Sequence, residues 1–102
     1  MKNVFKKYIG KDVIIRSGLA GVFIGEYVCL HMDGKFVELN NVRKIWRWEG
    51  ACAVEQVAID GVKKGNITVV VDNMIIADPV QIIPCTPKAS ENIRGFEAWV
   101  AE

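Results

Sequence analysis

The segment NNVRKIWRWEGA holds two arginines and two tryptophans close together: Arg43, Trp46, Arg47 and Trp48. A guanidinium is a planar fork that grips phosphate or carboxylate through two parallel hydrogen bonds. An indole is a flat surface on which a nucleobase stacks for about 1–3 kcal/mol. In a regular strand Arg43, Ile45 and Arg47 would point to one side, and Lys44, Trp46 and Trp48 to the other. Lys44 and Arg47 would lie close enough to cap an aromatic ring by cation–π contact. The same residues also fit a purely structural role, with both tryptophans in the core and Arg43 paired with Glu38 across a hairpin. At this level both readings stand.

A second candidate is Arg16-Ser17-Gly18-Leu19-Ala20-Gly21, an arginine running into a small-residue loop. Successive backbone N–H groups in such a loop can cradle an anion, although the phosphate-loop pattern is missing. A plain hairpin turn is the competing reading. Neighbouring strands would bring Arg16 toward Arg43.

Catalysis finds little support. There is one histidine, His31, so acid–base pairs of two imidazoles are excluded, and no carboxylate pair sits in a suggestive setting. Ser17 has no evident base, and the Gly-x-Ser-x-Gly elbow is absent. Asp72, Asp78 and Glu55 read as turn, edge and solvated-face residues. Cys29, Cys52 and Cys85 are widely spaced without a Cys-x-x-Cys pair or a Cys/His cluster, and the lone His31 is read as having no nearby partner. No metal site and no cofactor are therefore expected, and the thiols read as reduced and buried.

The elements that must position these groups are short. Residues 12–16 (DVIIR) and 21–32 (GVFIGEYVCLHM) read as strands, with Gly25 marking a bulge or close approach. Asp33-Gly34 is a hairpin turn that requires positive φ, and residues 35–39 return antiparallel. Asn40-Asn41 is expected to turn the chain into a fourth strand over 42–48. Residues 51–60 (ACAVEQVAID) shift to helical period, with Val54, Val57 and Ala58 on one face and Gly61 as the stop. Residues 66–71 and 74–83 read as two strands around an Asp72-Asn73 turn. Thr86 before Pro87 suggests an N-cap and one helical turn. Trp99 is an apolar hook for the protein's own core or for a neighbouring subunit. The whole predicts an α+β, mainly β single domain over 1–102, a small antiparallel barrel-like sheet with one central helix and a short C-terminal helical turn.

With 102 residues the core is thin, which favours self-association. A formal net charge of +1 argues against a duplex-DNA binder but not against a local pocket for a small anion. The start, MKNVFKKYIGKDV, has no long apolar stretch, and no run approaches membrane-spanning length, so a cytoplasmic protein is expected.

The runs VIIRSGLAGVFIGEYV and LNNVRKIWRWEGACAVEQVAIDGVKKGN, with IIPCT further on, resemble a group of small phage-encoded proteins over about residues 10–99. The specific element is the Trp-x-Trp-Glu-Gly-Ala run at Trp46–Ala51. That group looks like the Thoeris anti-defence sponges, which sequester a cyclic ADP-ribose messenger made by bacterial immune enzymes. The resemblance implies a homo-oligomer, a hexamer in its expected form, with nucleotide sites between protomers in the host cytoplasm. Some such sponges also bind cyclic oligonucleotides at separate sites. It implies a ligand role for Arg16, Phe23, Arg43, Trp46 and Trp48, to which the reading of the residues themselves adds Arg47. The Lys63-Lys64-Gly65-Asn66 link is shorter than in the group, so no ligand contact is carried over to it. Two other functions remain open: an interaction module that blocks a host defence protein directly, and a small-barrel binder of single-stranded nucleic acid.

Overall fold

The computed structural model describes residues 5–101; the first four residues of the N-terminal stretch read above lie outside them. After a short 3-10 turn (Lys6–Tyr8) come β1 (Asp12–Ser17), β2 (Gly21–His31) and β3 (Phe36–Glu49). Helix α1 (Val54–Asp60) follows, then β4 (Lys64–Ile67), β5 (Val71–Ala77), β6 (Pro79–Pro84) and α2 (Pro87–Arg94). The expected mainly β, α+β class is what the structure shows. All strand pairs are antiparallel.

The sheet runs β4-β3-β2-β1-β6, and β5 pairs with the other half of β3. Because β3 is long, its first half holds β5 and its second half holds β4. The sheet is not closed: β5 and β6 pair with opposite sides and join only at Asp78, a corner with φ 54. Ser17 ties this corner down, its hydroxyl donating to the Ala77 carbonyl at 2.7 Å. "Barrel-like" is thus apt only in a loose sense.

Both faces of the sheet are covered, which explains the unbroken Val13-Ile14-Ile15 run in β1. Ile14 joins Ile24, Ile45, Val57, Ala58, Ile67 and Ile93 beneath the helices. Val13 and Ile15 instead join Phe23, Tyr27, Val37, Leu39, Val42 and Ile76 on the opposite face. Helix α1 buries Val54, Val57 and Ala58 and stops at Gly61, where φ is 77. A Cβ there would also strike Asn92. Helix α2 starts as predicted, with Thr86 Oγ1 accepting from the Ala89 N–H at 3.1 Å, but it runs for two turns instead of one.

Two expected turns are absent. Asn40-Asn41 lies inside β3, and Asp72-Asn73 lies inside β5. In place of the first, the strand bulges. Ile24 and Glu26 face Arg43 and Asn40, so β3 carries an extra residue at this point, with Asn41 at φ 50. The Asp33-Gly34 turn is present, with φ of 57 and 85.

Candidate functional site

Side-chain alternation along a strand survives only while the register is regular. The bulge at Asn41 puts Val42 in the same cluster as Leu39, away from the helices, and turns Arg43 toward them. A second bulge in β3 follows, since Ile45 and Arg47 face the adjacent residues Ile67 and Asn66. Trp48 then packs on the same cluster as Ile45, while Trp46 and Arg47 are exposed. The two tryptophans therefore do not share a face, and neither do Ile45 and Arg47.

Arg43 is 3% exposed, and its guanidinium is used up by carbonyl oxygens. Nε donates to Thr68 O at 2.8 Å. Nη1 donates to Ile93 O at 3.0 Å and Arg94 O at 3.3 Å. Nη2 donates to Phe96 O at 2.8 Å and Ile67 O at 3.4 Å. Burial, with the nearby Arg94 charge, lowers its pKa from the ordinary arginine value. Arg43 is a strut joining β3 to the end of β4 and the end of α2, not a grip for an anion, and Glu38 is not its partner.

Phe23 is buried in the second cluster, on the opposite face from Arg43, with Lys44 Nζ 5.8 Å from its ring centroid. Arg16 is exposed and stands opposite Val22, whereas Arg43 stands opposite Ile24. The pocket formed by Arg16, Phe23 and Arg43 is thus not assembled within one chain. Nor is the loop after Arg16 an anion cradle. Its N–H groups are already taken, those of Leu19 and Ala20 by Ser17 Oγ and that of Gly18 by Asp78 O. Glu55 is held below the usual carboxylate range by its own backbone N–H, then by Gln81, with the Arg16 charge adding a smaller effect.

What remains at the surface is Trp46, half exposed and stacked on Trp99 with ring centroids 4.9 Å apart and planes at 18°. Trp99 is the expected apolar hook, and Trp46 is its partner; the Trp99 backbone N–H donates to Ile67 O at 2.8 Å, which anchors the tail. Further along β3, Arg47 and Trp48 line an open hollow of about 380 Å³ with Glu49, Lys64, Gly65 and Asn66. Trp48 Nε1 donates to Ala51 O at 3.2 Å, fixing its ring at the rim.

A further cluster escaped the sequence reading. His31 does have partners: its Nε2 lies 2.8 Å from Glu38 Oε1 and 3.4 Å from Cys29 Sγ. The signal was present, because counting back across the Asp33-Gly34 turn sets Cys29 opposite Glu38.

These features define a small open-sheet protein with two helices on one face and an aromatic, cationic patch at the β3–β4 edge. The chain belongs to a family known by its shared domain of unknown function, DUF6948, matched over residues 10–93. No curated protein and no solved structure matches it.

Proposed function

We propose that the protein acts by stoichiometric binding, as the phage signal sponges it resembles do. It captures a cyclic nucleotide immune messenger, a cyclic ADP-ribose isomer or a related cyclic oligonucleotide, without turning it over. The observation that supports this most is the exposed Trp46–Trp99 stack, with the exposed Arg47 next to Trp46 in the chain. An adenine on the indole and a phosphate on the guanidinium would use both groups. The hollow at Trp48 is open on one side, so a second copy of the chain would complete the site. Arg43 and Phe23 take no part in this version of the site; they hold up the strand that presents it.

The test is direct. Purified protein is incubated with cyclic ADP-ribose, separated from free ligand by gel filtration, then heated, and the released small molecule is identified by mass spectrometry. Stoichiometric recovery of intact nucleotide is the expected result. No recovery, or recovery of a hydrolysed product, refutes it. Trp46→Ala should weaken binding about 10–100-fold, the equivalent of one lost stacking contact.

One observation favours a second reading, an interaction module that contacts a host protein. Val69, Val70 and Val71 are exposed in and just after the link that leaves β4, three consecutive apolar side chains facing solvent. Under that reading the nucleotide is not retained, and Val70→Asp abolishes capture of the protein partner.

A further inference from the structure

Cys29 and His31 alternate along β2, and Glu38 stands directly across from Cys29 on β3. In an unbroken strand Cys29 would share the face of Tyr27 and point into the cluster that holds it. It does not, because β2 bulges: Tyr27 and Cys29 face the adjacent residues Leu39 and Glu38. Leu30 then takes the inward position opposite Val37. Cys29, His31 and Glu38 emerge together on the other face of the hairpin.

We propose that these three side chains form a binding site for a zinc-class divalent metal ion. The donors are one thiol sulfur, one imidazole nitrogen and one carboxylate oxygen, a set typical of zinc. Their separations are the main argument. Sγ to Nε2 is 3.4 Å, Nε2 to Oε1 is 2.8 Å, and Sγ to Oε1 is 3.9 Å. Tetrahedral zinc with ordinary bond lengths spaces such donors about 3.4–3.6 Å apart. Shifts of about half an ångström therefore suffice, and these side chains sit on two hydrogen-bonded strands.

The site also has outer support. Glu38 Oε2 accepts from Asn73 Nδ2 at 2.9 Å, and Asn73 is held in turn by Asn40 Oδ1 at 3.0 Å. One carboxylate oxygen is thus oriented from β5 while the other faces Cys29 and His31, the arrangement that fixes a metal-binding carboxylate. Partial exposure, 42% for the His31 side chain and 25% for Glu38, gives an ion access. Three protein donors leave a fourth position for water or an external ligand. The site lies at the opposite end of β3 from Trp46, so it is independent of the nucleotide reading.

The experiment uses the full chain carrying Cys52→Ser, which removes the exposed thiol, and cobalt(II) as the probe. Expected are a thiolate-to-cobalt charge-transfer band in the near ultraviolet and intense visible bands of tetrahedral cobalt, saturating at one equivalent and bleached by zinc. Cys29→Ser should abolish the charge-transfer band. His31→Asn and Glu38→Gln should each weaken binding by about 100-fold or more, since loss of an outer partner alone costs about 10–100-fold; Asn73→Ala should cost about 10-fold. Absence of the band, or a band that survives Cys29→Ser, overturns the proposal. Should Cys29→Ser fail to fold by circular dichroism, the two other ligand variants decide, and unchanged cobalt affinity in both overturns it equally.

Discussion

Replacing Arg43 with alanine removes a charged donor from each of the five carbonyl groups around its nearly enclosed guanidinium. Of its five hydrogen bonds, those to Ile93 O and Ile67 O are buried from solvent on both sides. Neither acceptor is orphaned by the change, because Ile67 O keeps the Trp99 backbone N–H and Ile93 O keeps that of Phe96. What is lost is a hydrogen bond to a charged group, about 1.5–3 kcal/mol each, or about 3–6 kcal/mol for the two. The bonds to Thr68, Arg94 and Phe96 are nearer the surface, where water can replace the lost donor. The expected loss is about 3–5 kcal/mol, a large share of the 5–15 kcal/mol that holds a typical domain together (about these values in general). Each kcal/mol moves the midpoint of a chain this size by about 4–8 °C, so melting should fall by about 12 °C or more. Urea unfolding followed by circular dichroism measures the first quantity and a thermal scan the second. Hydrogen exchange should also show α2 and the Phe96 segment losing protection before the sheet. A variant within about 1 kcal/mol of the parent would refute the reasoning, since surface changes rarely exceed about 0.5 kcal/mol. Arg43→Lys should restore little, because one ammonium cannot span acceptors on three segments.

Three further outcomes follow from the packing. Burial tends to raise the Asp12 carboxyl, but the Arg94 guanidinium (Nη2–Oδ1 2.6 Å, Nε–Oδ2 3.1 Å) and the Ser90 hydroxyl outweigh it and hold the group below its usual value. A lowered folded pKa gives stability that is complete above the unfolded value of about 3.9 and lost as pH falls through the folded one. Asp12→Asn should cost about 1.5–3 kcal/mol at neutral pH and flatten the acid limb below about pH 4, as read by urea midpoints across pH. Gly25→Ala should destabilise by about 1–3 kcal/mol, because the new Cβ would come within 2.9 Å of Leu39 Cβ and Cδ1 in the core; a neutral thermal scan would refute this. Burial pushes the Cys85 thiol up to about 12, so alkylation at pH 8 should label exposed Cys52 first and Cys85 only on unfolding, as mass spectrometry of digests would show.

The sequence pattern exposed most of the framework, and the physical reason is locality. The run at residues 12–16, the positive-φ demand of Asp33-Gly34, the helical spacing of Val54, Val57 and Ala58, and the Thr86 cap each depend on a few neighbouring residues. The misread turns share one cause. Asn40-Asn41 and Asp72-Asn73 have turn-like chemistry, but β3 and β5 pair through both, and Asn73 instead donates to Glu38. The candidate site was harder to read because three bulges reverse the alternation on which facing was judged. Regular alternation puts Trp46 and Trp48 together where the strand separates them, and the usual burial of a free thiol hides Cys29 where the strand turns it out to meet His31. Arg43 stands apart from both cases: its acceptors lie 24 to 53 positions away, and nothing in the local pattern announces them.

The same bulges bear on how β3 finds its partners. A regular alternating strand of fourteen residues could slide by two positions and still present apolar groups inward, giving several nearly equal pairings. Irregularities at Asn41 and Trp46 end that equivalence. A slide by two would carry each bulge opposite a regular stretch of its neighbour, break the ladder on both edges and draw Arg43 off its carbonyls. Slipped pairings are therefore dead ends from which the strand must detach. The irregularities that complicate the facing of its side chains also leave the folding chain a single register worth keeping.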